Sequence, residues 1–253
     1  MTLTEVTNWL IQYLRHEEWH GKDSSMNGLQ VACQKPKITR VAFAVDACLQ
    51  SFQKAAQDGA DLLVVHHGLF WGQPLALTGG HYQRLKTLLQ ADIGLFASHL
   101  PLDAHPECGN NVVMAQALGL GELKPFGTYH GVKIGFSGRL STPLTLDRVC
   151  EILWGGRDQT LQILPFGKAE ISTIGIVSGG ATSEVREAIA EGLDLYITGD
   201  ADHTIYHEAY EAGIHVISGG HYATETWGVR RLAQVMTSET GLSTVFLDSP
   251  TGL

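Results

Sequence analysis

Residues 41–67, VAFAVDACLQSFQKAAQDGADLLVVHH, decide the fold. Val41–Val45 and Leu62–Val65 are continuous apolar runs rather than alternating ones, the pattern of strands buried on both faces. Between them Cys48–Gln57 reads as a helix that stops at Gly59, the residue type that most readily ends one. Strand, helix, strand in that order calls for parallel strands joined by a right-handed crossover. Working outward, His81–Gln90 reads as the next helix. Ile93–Ala97 reads as a third strand leading into Ser98-His99-Leu100-Pro101-Leu102-Asp103.

The same order returns further along. Ile174–Ser178 opens it, Ser183–Glu191 reads as a helix, and Leu193–Thr198 ends at Gly199-Asp200. Shifted by 133 positions, Ala55, Gly59, Asp61 and Leu62 fall on Ala188, Gly192, Asp194 and Leu195. Shifted by 121, Ile93–Ala97 falls on Ile214–Ser218. The expected fold class is therefore α/β, two similar α/β halves forming an internal pseudo-repeat, with mainly parallel or mixed sheets flanked by helices. The expected division is 1–124, carrying His66, His67 and Asp103, and 125–253, whose segment 215–253 returns His221 and Glu225 to a shared site. Residues 125–170, with runs such as Val132–Phe136 and Leu161–Leu164, are expected to add strands to the second half.

Composition sets the outer limits. At 253 residues, 44% hydrophobic and 17% charged, the chain has material for one large or two small cores and is far from the balance of disorder. A formal charge of −9 is the wrong sign for a general nucleic-acid coat. No apolar run is long enough to span a bilayer. Met1–Leu14 reads as an amphipathic helix opened by a Thr2-x-x-Glu5 capping box, not as a secretory signal. Cys33, Cys48, Cys108 and Cys150 form no C-x-x-C pair, which argues against a zinc ribbon or disulfide scaffold and for a cytoplasmic protein.

Twelve histidines are the compositional oddity. His66 and His67 stand at a strand end, where ligands of open α/β sheets gather. Within a regular strand they face opposite ways, so one metal cannot take both there. At the end, with Gly68 freeing the turn, they can serve two neighbouring ions. His221-x-x-x-Glu225 follows Ser218-Gly219-Gly220 and sits at a helix start, with both side chains on one face. A histidine and a carboxylate so placed suit a metal, and a carboxylate can bridge two ions. Read alone, each feature also fits something plainer: a solvated loop for the histidine pair, an intrahelical ion pair for His221 and Glu225, a turn residue for Asp103. His203 and His207, also four apart, compete as ligands or as a solvated face, and His99, His105 and His130 are less defined. Ser178-Gly179-Gly180 before a helix suits either a phosphate cradle or a tight turn. No P-loop, dinucleotide-binding or serine-hydrolase signature occurs.

Five stretches together carry a resemblance. They are Asn27-Gly28-Leu29-Gln30-Val31, His66-His67-Gly68-Leu69-Phe70-Trp71, Ser98–Asp103 leading to Gly109-Asn110-Asn111, Thr198-Gly199-Asp200, and Gly219-Gly220-His221-Tyr222-Ala223-Thr224-Glu225. In order and over nearly the whole chain, these resemble the Nif-three-like dinuclear metal-centre family, the GTP cyclohydrolase 1 type 2 homologues, in its short form. The resemblance implies a two-metal site on His66, His67, Asp103, His221 and Glu225, with Glu225 reaching both ions, and a toroidal homohexamer. His203 and His207 lie outside the implied set.

Two divalent ions against two carboxylates would leave such a site at about +2, with open positions for water or hydroxide as in catalytic sites. With nitrogen and oxygen ligands and no thiolate, zinc, iron, manganese, cobalt and nickel all suit. The first expectation is a metal-dependent hydrolase of a nucleotide-like or phosphorylated small molecule. The family label implies opening of the guanine imidazole ring of GTP with release of formate, by attack of a metal-bound hydroxide. The alternative is a metal-binding, metal-trafficking or regulatory protein without turnover. No membrane partner is expected, and the charge speaks against nucleic acid.

Overall fold

Two sheets carry the fold, each built around the strand–helix–strand–helix–strand unit that the apolar runs announce. The computed structural model describes residues 1–253. In chain order it begins with α1 (Leu3–Tyr13), β1 (Gly28–Val31), β2 (Arg40–Asp46), α2 (Leu49–Asp58), β3 (Leu62–His67), α3 (Gly79–Ala91), β4 (Gly94–Ala97) and α4 (Leu100–Asp103). There follow α5 (Asn110–Leu118), β5 (Leu120–Tyr129), β6 (Val132–Leu144), α6 (Leu146–Trp154), β7 (Gln162–Pro165), β8 (Ile171–Val177) and α7 (Val185–Ala190). The chain closes with β9 (Leu195–Thr198), α8 (Tyr206–Ala212), β10 (His215–Ser218), α9 (His221–Thr240) and β11 (Ser243–Phe246).

The first sheet has the order β1-β4-β3-β2-β11 and the second β5-β6-β8-β9-β10-β7. Strands β2, β3 and β4 are parallel neighbours, as are β8, β9 and β10. The pseudo-repeat extends one strand further than the apolar runs reveal. β1 lies antiparallel against β4, and β7, equally just upstream of its repeat, lies antiparallel against β10. A shared anchor makes the likeness chemical. Asp61 Oδ2 accepts from the backbone N–H of Thr39 and Arg40 at 2.8 and 3.1 Å. Asp194 Oδ2 accepts from Ser172 and Thr173, 133 positions on, at 2.8 and 3.0 Å. Lys35 and Lys168, at the same shift, each face the other oxygen of their aspartate.

Burial explains the continuous runs. Val41–Val45 and Leu62–Val65 are at most 1% exposed, and in the first sheet Phe52 and Ala55 of α2 and Leu88 of α3 pack into one core with Leu63 and Val65. In the second, Ile174, Ile176, Leu195, Ile197 and Ile217 pack with Met114, Leu118, Val149 and Leu153 of α5 and α6. The capping box at Thr2 and Glu5 is formed. No helix is long and apolar enough to cross a membrane.

The chain falls into two compact units, Met1–Leu102 with Val229–Ser249, and Asp103–Gly228 with Pro250–Leu253. Set beside the expected halves 1–124 and 125–253, residues 103–124 group with the second sheet, because α5 packs on it. Val229–Ser249 groups with the first, because β11 pairs in parallel with β2. Asp103, expected in the first half, is thus the first residue of the second unit.

Candidate metal centre

In the first unit β3 delivers His66 and His67 at its carboxyl end. Strand alternation predicts opposed rings, yet their centroids are 4.6 Å apart. The strand ends at His67 and the chain turns at once through Gly68, where a Cβ would collide with the Gln30 amide and Ala97. His66 has no exposed surface, and its Nδ1–H donates to the Ser98 carbonyl at 3.1 Å. In register beside His67 lies Asp46, the last residue of β2, whose Oδ1 accepts from His67 Nδ1–H at 2.8 Å. His99 joins them. Its ring lies 5.0 Å from His66 and 5.6 Å from His67, and ring nitrogens of the three histidines lie within 4.8 Å of one another.

The Asn27–Val31 stretch supports this cluster from behind. His99 Nδ1–H donates to Asp23 Oδ1 at 3.0 Å, and the His99 backbone N–H donates to Asn27 Oδ1 at 2.7 Å. Asn27 in turn donates to Asp23 Oδ2. Burial opposes charge on Asp23, but the His99 hydrogen bond and charge, with Asn27 and the Ser25 N–H, outweigh it and bring the carboxyl down to about 2. Gln30 Oε1 accepts from the Leu69 N–H at 2.7 Å and so holds the turn after the histidines.

In the second unit α9 begins at His221, immediately after Gly219-Gly220. His221 Nδ1–H donates to Asp200 Oδ2 at 2.8 Å, and Nε2 lies 3.2 Å from Oε1 of the buried Glu225, one helical turn on. The hydrogen bond to Glu225, opposed by burial and reinforced by the charges of Glu225 and Asp200, pushes the His221 pKa up to about 9. The two side chains thus hold a proton where a cation would be welcome. Gly179, at φ +66, backs the pair, and a Cβ there would run into Glu225 Oε1 and crowd His221 Nε2. Asp103 is buried on the other side of Ser178. Its Oδ1 accepts from Ser178 Oγ and Asn110 Nδ2, each at 2.9 Å. Asn110 Oδ1 accepts from Gly228 N–H, and Asn111 Oδ1 from Ser178 N–H. The Asn110-Asn111 pair is therefore a scaffold for Asp103.

In each unit the donors could hold a divalent ion. His66, His67, His99 and His221 each give Nδ1–H to an oxygen that cannot donate, so in the neutral ring Nε2 carries the lone pair. A ring nitrogen bonded in this way to an oxygen fixes the orientation and tautomer of a histidine that ligates a metal. Sequence alone does not mark His99 for this cluster, because its partner Asp23 lies 76 residues away. Other sequence candidates go elsewhere. His203 and His207 are exposed and touch edge to face at 6.3 Å. His105 Nδ1 accepts from the N–H of Glu107 and Cys108 in a turn, and His130 stacks on Tyr129. Ser178-Gly179-Gly180 is a turn with its first two N–H groups taken by Asn111 and Thr224, so it cradles no phosphate through them.

Comparison with known proteins supplies an independent view. A family model described as Duf34/NIF3 (NGG1p interacting factor 3) matches residues 1–251. A protein of Deinococcus radiodurans named GTP cyclohydrolase 1 type 2 homolog is 46% identical over 98% of this chain and 94% of its own. A protein of the same name from Pyrococcus abyssi is 42% identical over the whole of both chains. Among solved structures, TTHA1606 from Thermus thermophilus superposes with a TM-score of 0.90 at 42% identity over the whole of both chains. Reduced HcgD from Methanocaldococcus jannaschii gives 0.83 at 25% identity over 98% of each.

Proposed function

This chain belongs to the Duf34/NIF3 family, and from that premise we propose that it is a divalent-metal-dependent hydrolase of a nucleotide-like or phosphorylated small molecule. One observation supports the reading: His66, His67 and His221 each donate Nδ1–H to a fixed oxygen, so that Nε2 is the nitrogen that would hold a metal. Asp103 and Glu225, both buried, complete the proposed ligand set, and two ions per chain are the proposed content. Bound divalent ions supply Lewis acidity and water of lowered pKa. The chain's own part is to hold the ligands. Asp46 and Asp200 fix two imidazoles, Ser98 a third, and Asn110 with Ser178 the Asp103 carboxylate. Zinc, iron, manganese, cobalt and nickel all suit these donors. Relatives bearing the name GTP cyclohydrolase 1 type 2 homolog make opening of a purine imidazole ring the reaction to try first. Assembly as a homohexamer belongs to the same reading. So does a cytoplasmic setting, in which four free cysteines are at home.

The test is metal content by mass spectrometry of protein purified without chelator, with GTP turnover on the same samples. Wild type is expected to carry close to two ions per chain. His66→Ala with His221→Ala should lose most of them with an unchanged far-UV circular dichroism spectrum. Glu225→Gln should lower turnover more steeply than occupancy. A folded double variant with undiminished metal refutes the site. Fully loaded wild type inert toward a broad nucleotide panel turns the reading to a metal carrier.

A further inference from the structure

Trp71 stands 36% exposed beside the histidines of the first unit, its ring centroid 5.1 Å from His99 and 6.0 Å from His67. Its indole N–H donates to the Gly68 carbonyl at 3.0 Å, which ties the ring to the turn that ends β3. With that bond made, the open part of the ring is carbon surface with no polar atom left to satisfy. The loop before β1 runs beside it: Met26 is 52% exposed, and its N–H donates to the Phe70 carbonyl at 3.0 Å, which fixes that loop to the segment carrying Trp71. A large open aromatic is unfavourable in water unless something covers it. Here it is held in a fixed pose next to polar, metal-competent groups, the usual composition of a small-molecule site.

We propose that Trp71 is the platform on which a planar heteroaromatic ring of the ligand stacks, so that the site selects heterocycle-bearing phosphates over plain sugar phosphates. The inference deepens the metal-site reading and rests on it, since the stacked ring would lie against His67 and His99. Every nucleobase has a π-face, so stacking selects for the presence of a ring rather than its substituents. A polynucleotide is the less suitable occupant, given a chain at −9.

The experiment titrates intact protein, metal-free and metal-loaded, with guanosine 5′-monophosphate and with ribose 5-phosphate. Binding is followed by calorimetry and tryptophan emission, with metal content measured on the same samples. Wild type is expected to bind the nucleotide at least about tenfold more tightly than the sugar phosphate. Part of the emission should be quenched, and that part should vanish in Trp71→Phe while most of the affinity stays. Trp71→Ala should lose about tenfold toward the nucleotide, nothing toward ribose 5-phosphate, and no metal. Equal affinity for the two probes, no nucleotide binding at all, or a Trp71→Ala variant that binds as wild type overturns the proposal. Loss of metal and ring affinity in step would make Trp71 a prop for His99 and overturn it too. Wild type without metal would refute the metal centre instead, and ring selectivity in metal-free protein would then decide the platform separately.

Discussion

His16 shows how much a single buried ring contributes. It packs on Phe96, and its Nε2 lies 2.9 Å from Ser98 Oγ. Burial pushes its pKa down to about 4, against a small opposing pull from Asp23. The ring is therefore neutral in the fold and takes a proton in the unfolded chain first. Its contribution is whole above about pH 6.5 and is lost as pH falls from about 6.5 toward about 4, worth about 2–3 kcal/mol over that window. Urea unfolding of chelated protein at pH 7 and 4.5 should show His16→Gln losing less stability than wild type by about that amount; parallel losses would remove His16 from the account. At the site itself, Asp46→Asn keeps an acceptor for His67 but drops the charge. Competition against a chromogenic chelator should find metal affinity lower by about 10–100-fold, with the melting temperature of the metal-free protein nearly unchanged. His203→Ala, by contrast, should leave metal content as it was.

At the scale of elements the repeat is tested by its anchors. Asp61→Ala and Asp194→Ala each leave two strand-start N–H groups and a lysine without their carboxylate. Each should cost about 2–4 kcal/mol in denaturant unfolding, and by similar amounts. A large cost at one and none at the other would mean the likeness is geometric only. The central strands were legible because parallel strands covered on both faces must be apolar throughout, as Val41–Val45 is. β1 was not legible. Gly28–Val31 is short and only half-buried, and its strand character comes from β4, which lies far along the chain. β11 was hidden for the same reason, since only β2 makes it a strand. Within the site, His66-His67 and His221-x-x-x-Glu225 announce themselves by spacing. His99 has no local signature, and the two glycines after Ser178 fit a cradle and a turn equally until Asn111 and Thr224 are seen to take the N–H groups.

For the molecule as a whole, metal and stability should be linked. An ion present at about 100 times its dissociation constant adds about 2.7 kcal/mol to the folded state. For a chain of this length that is a rise of about 5–10 °C in the melting temperature. Differential scanning fluorimetry with and without chelator should show it in wild type and not in His66→Ala with His221→Ala. An equal rise in both would place the stabilising ion elsewhere. The placement of β11 reaches beyond the finished protein. Arg40 of β2 and Ser243 of β11, whose side chains share a hydrogen bond, are 203 residues apart. On a ribosome adding about 5–20 residues each second, the β2 edge waits about 10–40 s for its partner. Throughout that wait β2, the longer strand and apolar from Val41 to Val45, is the edge of the nascent first sheet. Afterwards the short, half-buried β11 takes that place, so the finished sheet exposes a less adhesive edge than the growing one.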